Sequence, residues 1–349
     1  MTNPALTVRT LTDGGQSAAE VAGWIAEFLD GAREALDLAQ YDFHLDGEAR
    51  EIVAGAIERA AARGVRIRFA YNVDHRNPIP VPPPPEPDVQ LIATLPVEGK
   101  AVAGVPDLMH HKYVIRDGAS VWTGSMNWTV DSFTRQENVL VTVDAPAVAA
   151  DYAQDFEQLW SREDVEDVGD VDPTWHDGVR PWFTPGHGED LSYRIAKRIG
   201  LARRRVRICS PVITTAPVLG TLAQMISEAR VDIAGCVDRT QIGGVVYQWR
   251  QNGNVSWKLP LLERVMAGPF TGKLSTAWRP EGSLHDFMHA KVTVADDTVF
   301  VGSFNLSRSG EMNAENVLEI EDAGLADRLS AFVDAVRARY PPVELQRSQ

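Results

Sequence analysis

The chain has 349 residues, 44% hydrophobic and 23% charged, which is the composition of a folded globular protein long enough for two domains or one doubled domain. Its net charge of −14 argues against broad, sequence-blind binding to nucleic acid, which draws on basic surface. The first residues hold no charged segment followed by an apolar one, and no run of about 18 apolar residues occurs, so a cytoplasmic protein without a transmembrane segment is expected.

In chain order, hydrophobic periodicity predicts a helix over 18–29 and a strand over 36–43. A helix over 47–62 follows, with Ile52, Val53, Ile57 and Ala60 apolar, then an alternating strand over 65–73 that runs into Asp74. A stiff polyproline-like segment, 78–85, precedes the next strand. A helix over 147–160 closes this half. Residues 161–185 are acidic early (Glu163, Asp164, Glu166, Asp167) and carry Pro173, Pro181 and Pro185, so they read as a solvated connector. The order then starts again: helix 190–201, strand 206–213, helix 216–229, strand 231–237 running into Asp238, and a closing helix 324–340. A long insertion, 239–287, contains Tyr247, Trp249, Trp257 and Trp278 and reads as a lid or an edge of the substrate entrance. Cys209 and Cys236 fall in apolar strands and read as buried free thiols. The expected domains are therefore 1–160, a linker 161–185, and 186–349. Strands alternating with helices imply α/β halves with covered sheets.

One pattern is written twice. His110-His111-Lys112, Asp117, Gly124-Ser125-Met126-Asn127 and Glu137-Asn138 are matched by His289-Ala290-Lys291, Asp296, Gly302-Ser303-Phe304-Asn305 and Glu315-Asn316. On a strand, residues two apart share a face, so each His-x-Lys presents an imidazole beside an ammonium. Only six lysines occur among 34 basic residues, and two of them lie in these pairs. A compact ammonium suits a nonbridging phosphate oxygen. Two histidines and two lysines equip a chain for displacement at phosphorus. Lys112 and Lys291, helped by Asn127, Asn305, Ser125 and Ser303, would neutralise the phosphate; one imidazole would attack and the other would protonate the leaving oxygen. This scheme uses no metal and no cofactor.

The doubled H-x-K-x4-D and G-S-x-N pattern resembles the signature of the phospholipase D superfamily. The resemblance implies two α/β/α sandwich halves related by a pseudo-twofold axis, with the active site at their interface. It further implies that His110 is the nucleophile and His289 the acid and base. It implies too that Glu137 and Glu315 accept a hydrogen bond from the other ring nitrogen of a histidine. Asp117 and Asp296, with Gly124 and Gly302, read as structural parts of the motif that organise the hairpin turns. Six residues separate Asp117 from Gly124 but five separate Asp296 from Gly302, so the halves are not equivalent.

Other readings carry less. A metal site from Asp107, His110, His111 and Glu137 is disfavoured, because an ammonium beside a metal is repelled. His111 should face away from His110; His44, His75, His176, His187 and His285 lack a supporting constellation, His285 alone being near enough to the second motif to be a candidate for lining the pocket. The substrate is read as a phospholipid, with peripheral contact to a membrane, because the aromatic insertion suits a lipid interface. The alternative is a nuclease acting on DNA or RNA, for which Arg203, Arg204, Arg205 and Arg207 would form a phosphate-tracking patch. These arginines read first as a solvated face.

Overall fold

The computed structural model describes residues 4–73, 87–103, 107–277, 279 and 284–345. Asp74, His75, the polyproline segment and Trp278 lie outside the described residues.

The first half runs β1 (Ala5–Leu11), α1 (Ala18–Asp30), β2 (Ala35–Gln40), β3 (Phe43–His44), α2 (Gly47–Ala62), β4 (Arg66–Val73), α3 (Val89–Thr94) and β5 (Glu98–Ala103). It continues with β6 (Lys112–Arg116), β7 (Ser120–Gly124), β8 (Trp128–Thr129), α4 (Val130–Thr134), β9 (Asn138–Asp144) and α5 (Pro146–Arg162). The second half runs β10 (Val179–Thr184), α6 (Gly188–Leu201), β11 (Arg205–Cys209), α7 (Ala216–Glu228), β12 (Asp232–Asp238), α8 (Arg239–Gln251), α9 (Leu259–Met266) and β13 (Phe270–Lys273). It ends with β14 (Val292–Ala295), β15 (Thr298–Gly302), α10 (Arg308–Met312), β16 (Glu315–Glu321) and α11 (Ala323–Arg337).

Each half builds one seven-stranded mixed sheet. The orders are β1-β9-β7-β6-β2-β4-β5 and β10-β16-β15-β14-β11-β12-β13, which correspond strand for strand. The parallel pairs correspond too. β2 and β4 are joined through α2, as β11 and β12 are through α7, because a parallel pair needs a crossover. Side chains alternate between the two faces of each sheet. Leu36 and Leu38 of β2 pack outward with α1 and α2, whereas Ala39 joins an inner cluster. That inner cluster takes α5 from one half and α11 from the other and fuses the two sheets into one core. A third cluster packs α6, α7, α8 and α9 on the outer face of the second sheet.

Three stretches differ from the sequence reading. The 161–185 stretch is not a solvated connector throughout: Val165, Val168 and Val171 are buried in the inner cluster, and β10 pairs along β16. β10 is an edge strand, where the missing N–H of Pro181 is tolerated. The described parts of the 239–287 insertion and of the stretch between the polyproline segment and the first His-x-Lys are not open loops either. Each holds a helix and the outermost strand of its sheet, α3 with β5 and α8–α9 with β13. Cys209 and Cys236 are free and buried on facing positions of β11 and β12, as expected. Among the described residues, no helix is long and apolar enough to cross a membrane.

Candidate active site

The two His-x-Lys segments enter β6 and β14 at the centre of the two sheets, and each is drawn across to the other half. The Met109 backbone bridges to Ala314, with the His110 N–H donating to the Ala314 carbonyl at 2.9 Å. Met288 bridges to Glu137 in the same way. His110 and His289 are buried, and the charge of each lysine opposes protonation of both histidines. His110 in turn opposes protonation of His289, so the four groups share one site.

The lysines are placed alike. Lys112 Nζ donates to the His110 carbonyl at 2.7 Å, and Lys291 Nζ donates to the His289 carbonyl at 2.8 Å. Both are buried, so desolvation disfavours their charge. Lys112 is pushed down to about 7, chiefly by burial and against Glu315 and Asp42; Lys291 is held well below its ordinary value by burial and by Lys112. Bringing a phosphate anion between them would restore both charges. The Lys112 ammonium also lies 4.6 Å from the Tyr41 ring centre, and that ring packs edge-on against His110.

The histidines are not placed alike. His110 Nδ1 meets Glu315 Oε2 at 2.7 Å, across the two halves, where both groups are buried. Burial pushes the Glu315 carboxyl up to about 8, against the pull of Lys112, Ser303 and Lys291. His289 Nδ1 instead meets Asn138 Oδ1, at 3.3 Å. The expected role of Glu137 is thus corrected: its carboxylate is bound by Lys273 Nζ at 3.1 Å, by the Tyr340 hydroxyl and by the Asp13 N–H at 3.4 Å, not by a histidine.

The reason is register. Gly124 lies opposite Leu140, but Gly302 lies opposite Val317, one residue earlier than the repeated Glu-Asn-Val-Leu would place it. The edges agree, because Leu11 faces Asn138 while Thr184 faces Glu315. The structural counterpart of Glu315 is therefore Asn138, and a shift of one residue turns the Glu137 side chain to the opposite face. Matching by identity hid Asn138; the unequal hairpins were the one available signal of unequal halves.

The remaining motif residues divide into scaffold and open valence. Asp117 accepts the N–H groups of Arg33, Glu34 and Ala35, and Asp296 those of Arg203, Arg204 and Arg205, so each fixes the chain entering β2 or β11. A Cβ on Gly124 would stand 2.2 Å from the Val139 carbonyl oxygen, and one on Gly302 would stand 2.1 Å from that of Asn316. Ser125 and Ser303 differ from the substrate-binding expectation. Ser125 Oγ donates to Asn138 Oδ1 at 2.7 Å and accepts the Val139 N–H; Ser303 Oγ accepts the Asn316 N–H and bonds Glu315. Both are fully buried and hold the histidine partners. Asn127 and Asn305 reach the surface in part, and each has a buried amide oxygen without a hydrogen-bond partner. Such groups are rare in interiors; as acceptors they take a donor such as water, whereas the Nδ2 ends of the two amides are the ones able to donate to an anion.

His111 is buried beside Tyr113 and lies 3.2 Å from Asp155, away from the site, as expected. His285 sits close enough to His289 to oppose its protonation. Arg204, Arg205 and Arg207 pair with Asp297, Asp327, Asp232 and Asp334, which leaves a solvated face rather than a phosphate track.

A family profile described as the cardiolipin synthase, PLD-like domain matches residues 25–160 and again 195–336. Mitochondrial cardiolipin hydrolase of Xenopus tropicalis is 34% identical over 136 residues, which are 38% of this chain and 58% of that protein. A phospholipase D of Rickettsia bellii is 30% identical over 134 residues, 38% of this chain and 60% of that one. The chain thus spans less than two thirds of the length of these relatives. Among solved structures, phosphatidylserine synthase from Haemophilus influenzae has a TM-score of 0.63 at 12% identity, covering 95% of this chain and 86% of that one. Polyphosphate kinase from Porphyromonas gingivalis has a TM-score of 0.58 at 12% identity, covering 95% of this chain and 50% of the other. At these identities the likeness is one of fold.

Proposed function

The chain belongs to the phospholipase D-like family, and on that premise we propose that it is a phosphodiesterase that hydrolyses or transfers the phosphatidyl group of a phospholipid through a covalent phosphohistidine. The observation that carries this reading is the His110–Glu315 contact at 2.7 Å beside two buried lysines. A carboxylate that accepts a hydrogen bond from Nδ1–H holds the tautomer whose Nε2 lone pair is free to attack. The His110 Nε2–P bond forms as the P–O bond to the leaving group breaks. The His289 imidazolium gives its proton to that leaving oxygen. Water or an alcohol then attacks phosphorus, His289 takes the proton back, and the N–P bond breaks. Lys112 and Lys291 neutralise the nonbridging oxygens, and the carboxamides of Asn127 and Asn305 complete the cradle. Charge is balanced by ammonium groups, so the scheme runs without a divalent ion. The relatives named cardiolipin hydrolase and phospholipase D support a lipid substrate.

The test is a panel in EDTA containing cardiolipin, phosphatidylglycerol, phosphatidylcholine, single-stranded DNA and bis(p-nitrophenyl) phosphate. Cleavage of a phospholipid together with the chromogenic ester is expected. Cleavage of DNA with all lipids untouched would replace the lipid reading by the nuclease one.

A further inference from the structure

We propose that Asn138 is the positioning residue of His289, so that the site works with one carboxylate-backed and one amide-backed histidine whose tasks are not interchangeable. The inference rests on the phosphodiesterase reading for its chemistry and on hydrogen-bond geometry for its assignment.

The Asn138 carboxamide is anchored at both ends. Its Nδ2 donates to the Ser132 carbonyl at 3.3 Å and to Ser132 Oγ at 3.2 Å; its Oδ1 accepts from Ser125 Oγ at 2.7 Å. These bonds fix which end of the amide faces which way. The oxygen is therefore the end offered to His289 Nδ1 at 3.3 Å. An acceptor there selects the Nδ1–H tautomer and frees Nε2, as Glu315 does for His110.

The two partners differ in charge. Beyond burial, the titratable groups that act on His289 are Lys291 from its own strand, Lys112 and His110 from the opposite half, and His285 from the preceding segment. All of them oppose a proton on the ring, and Asn138 offers no charge against them. Glu137 is held by Lys273, which Asp13 also engages at 3.1 Å, and by Tyr340 from the end of the chain. His110 has Glu315 in contact. A carboxylate favours the positive ring that exists while phosphorus is bonded to Nε2. A ring without one makes the stronger acid once protonated, which suits proton delivery to a leaving alkoxide. The geometry thus gives a physical ground for His110 as nucleophile and His289 as acid.

The test is a pH titration of the histidine Cε1 resonances in 13C-labelled protein, with nitrogen shifts to read the tautomer. His110→Gln and His289→Gln assign the signals. Wild-type His289 is expected as the neutral Nδ1–H tautomer. Asn138→Asp should raise the His289 titration by about one unit or more, the effect of an opposite charge at contact distance. Glu137→Gln should leave it within a few tenths. A drop of about one unit in Glu137→Gln, with no response to Asn138→Asp, would make Glu137 the partner and overturn the inference. If Asn138→Asp does not fold, the wild-type spectrum alone decides, because an Nε2–H tautomer at His289 contradicts the geometry. Failure of the wild type to cleave any phosphodiester would sink the function and leave the titration to judge the positioning.

Discussion

Glu315→Gln isolates the charge that the proposed nucleophile depends on. Gln keeps the shape and the reach to His110 but cannot carry the negative charge. A hydrogen bond to a charged group is worth about 1.5–3 kcal/mol, and here it forms at 2.7 Å between two buried side chains. At about 1.4 kcal/mol per factor of ten, phosphohistidine formation should slow by about 10- to 150-fold when measured above pH 8, where the Glu315 carboxyl is ionised. Folding should not suffer. Burial already pushes the Glu315 carboxyl up to about 8, so a neutral isostere removes a desolvation cost, and the melting temperature should hold or rise. Glu137→Gln should behave the opposite way. It leaves the buried Lys273 ammonium with the Asp13 carboxylate and the Arg135 carbonyl but without its buried charge partner, so stability falls, while the chemical step changes by less than about threefold. The assay is rapid-quench formation of the phosphoenzyme from bis(p-nitrophenyl) phosphate, quenched in alkali, with thermal unfolding of each variant alongside. Equal slowing in the two variants, with both folded, would refute the asymmetric arrangement.

Asp155 is fully buried against Tyr113, and burial raises its carboxyl from 3.8 to about 8. A raised folded value means that its stability contribution is complete below the unfolded value near 4 and is lost as pH rises through about 8. Asp155→Asn should therefore flatten the fall in melting temperature between pH 5 and pH 9; an unchanged slope would remove Asp155 as its source. Gly302→Ala places a methyl 2.1 Å from the Asn316 carbonyl oxygen, so backbone must move and stability should drop by on the order of 3 kcal/mol in urea titration. Chelation with EDTA should leave turnover within about twofold, and loss restored by a divalent ion would overturn charge balance by Lys112 and Lys291.

Much of this molecule was readable from the chain because its architecture rests on local patterns. Helices such as Gly47–Ala62 and Ala216–Glu228 carry their own periodicity and ends, and the repeated His-x-Lys named the strand at the centre of each sheet. What escaped depends on partners far along the chain. β1 and β10 are edge strands recognisable only by what they pair with, and β10 lay inside an acidic, proline-bearing stretch. Val165, Val168 and Val171 sat among acids whose charge masked a buried face. The misplaced role of Glu137 has the same origin. Glu137-Asn138 and Glu315-Asn316 are identical as letters, but strand register is set by hairpin length and by packing across the sheet, neither of which an identity match weighs.

That displaced register also says something about why both halves occupy a single polypeptide. Two copies of one chain related by a twofold axis must repeat every feature, so a slip in one copy would appear in both and remove the carboxylate from both histidines. Joined covalently, the halves are released from that constraint: one keeps Glu315 at its partner's histidine while the other presents Asn138. Such a site has a front and a back. On the proposed mechanism, a phosphodiester with two different substituents would meet two different walls, and the direction in which it lies would decide which of its ester bonds is broken.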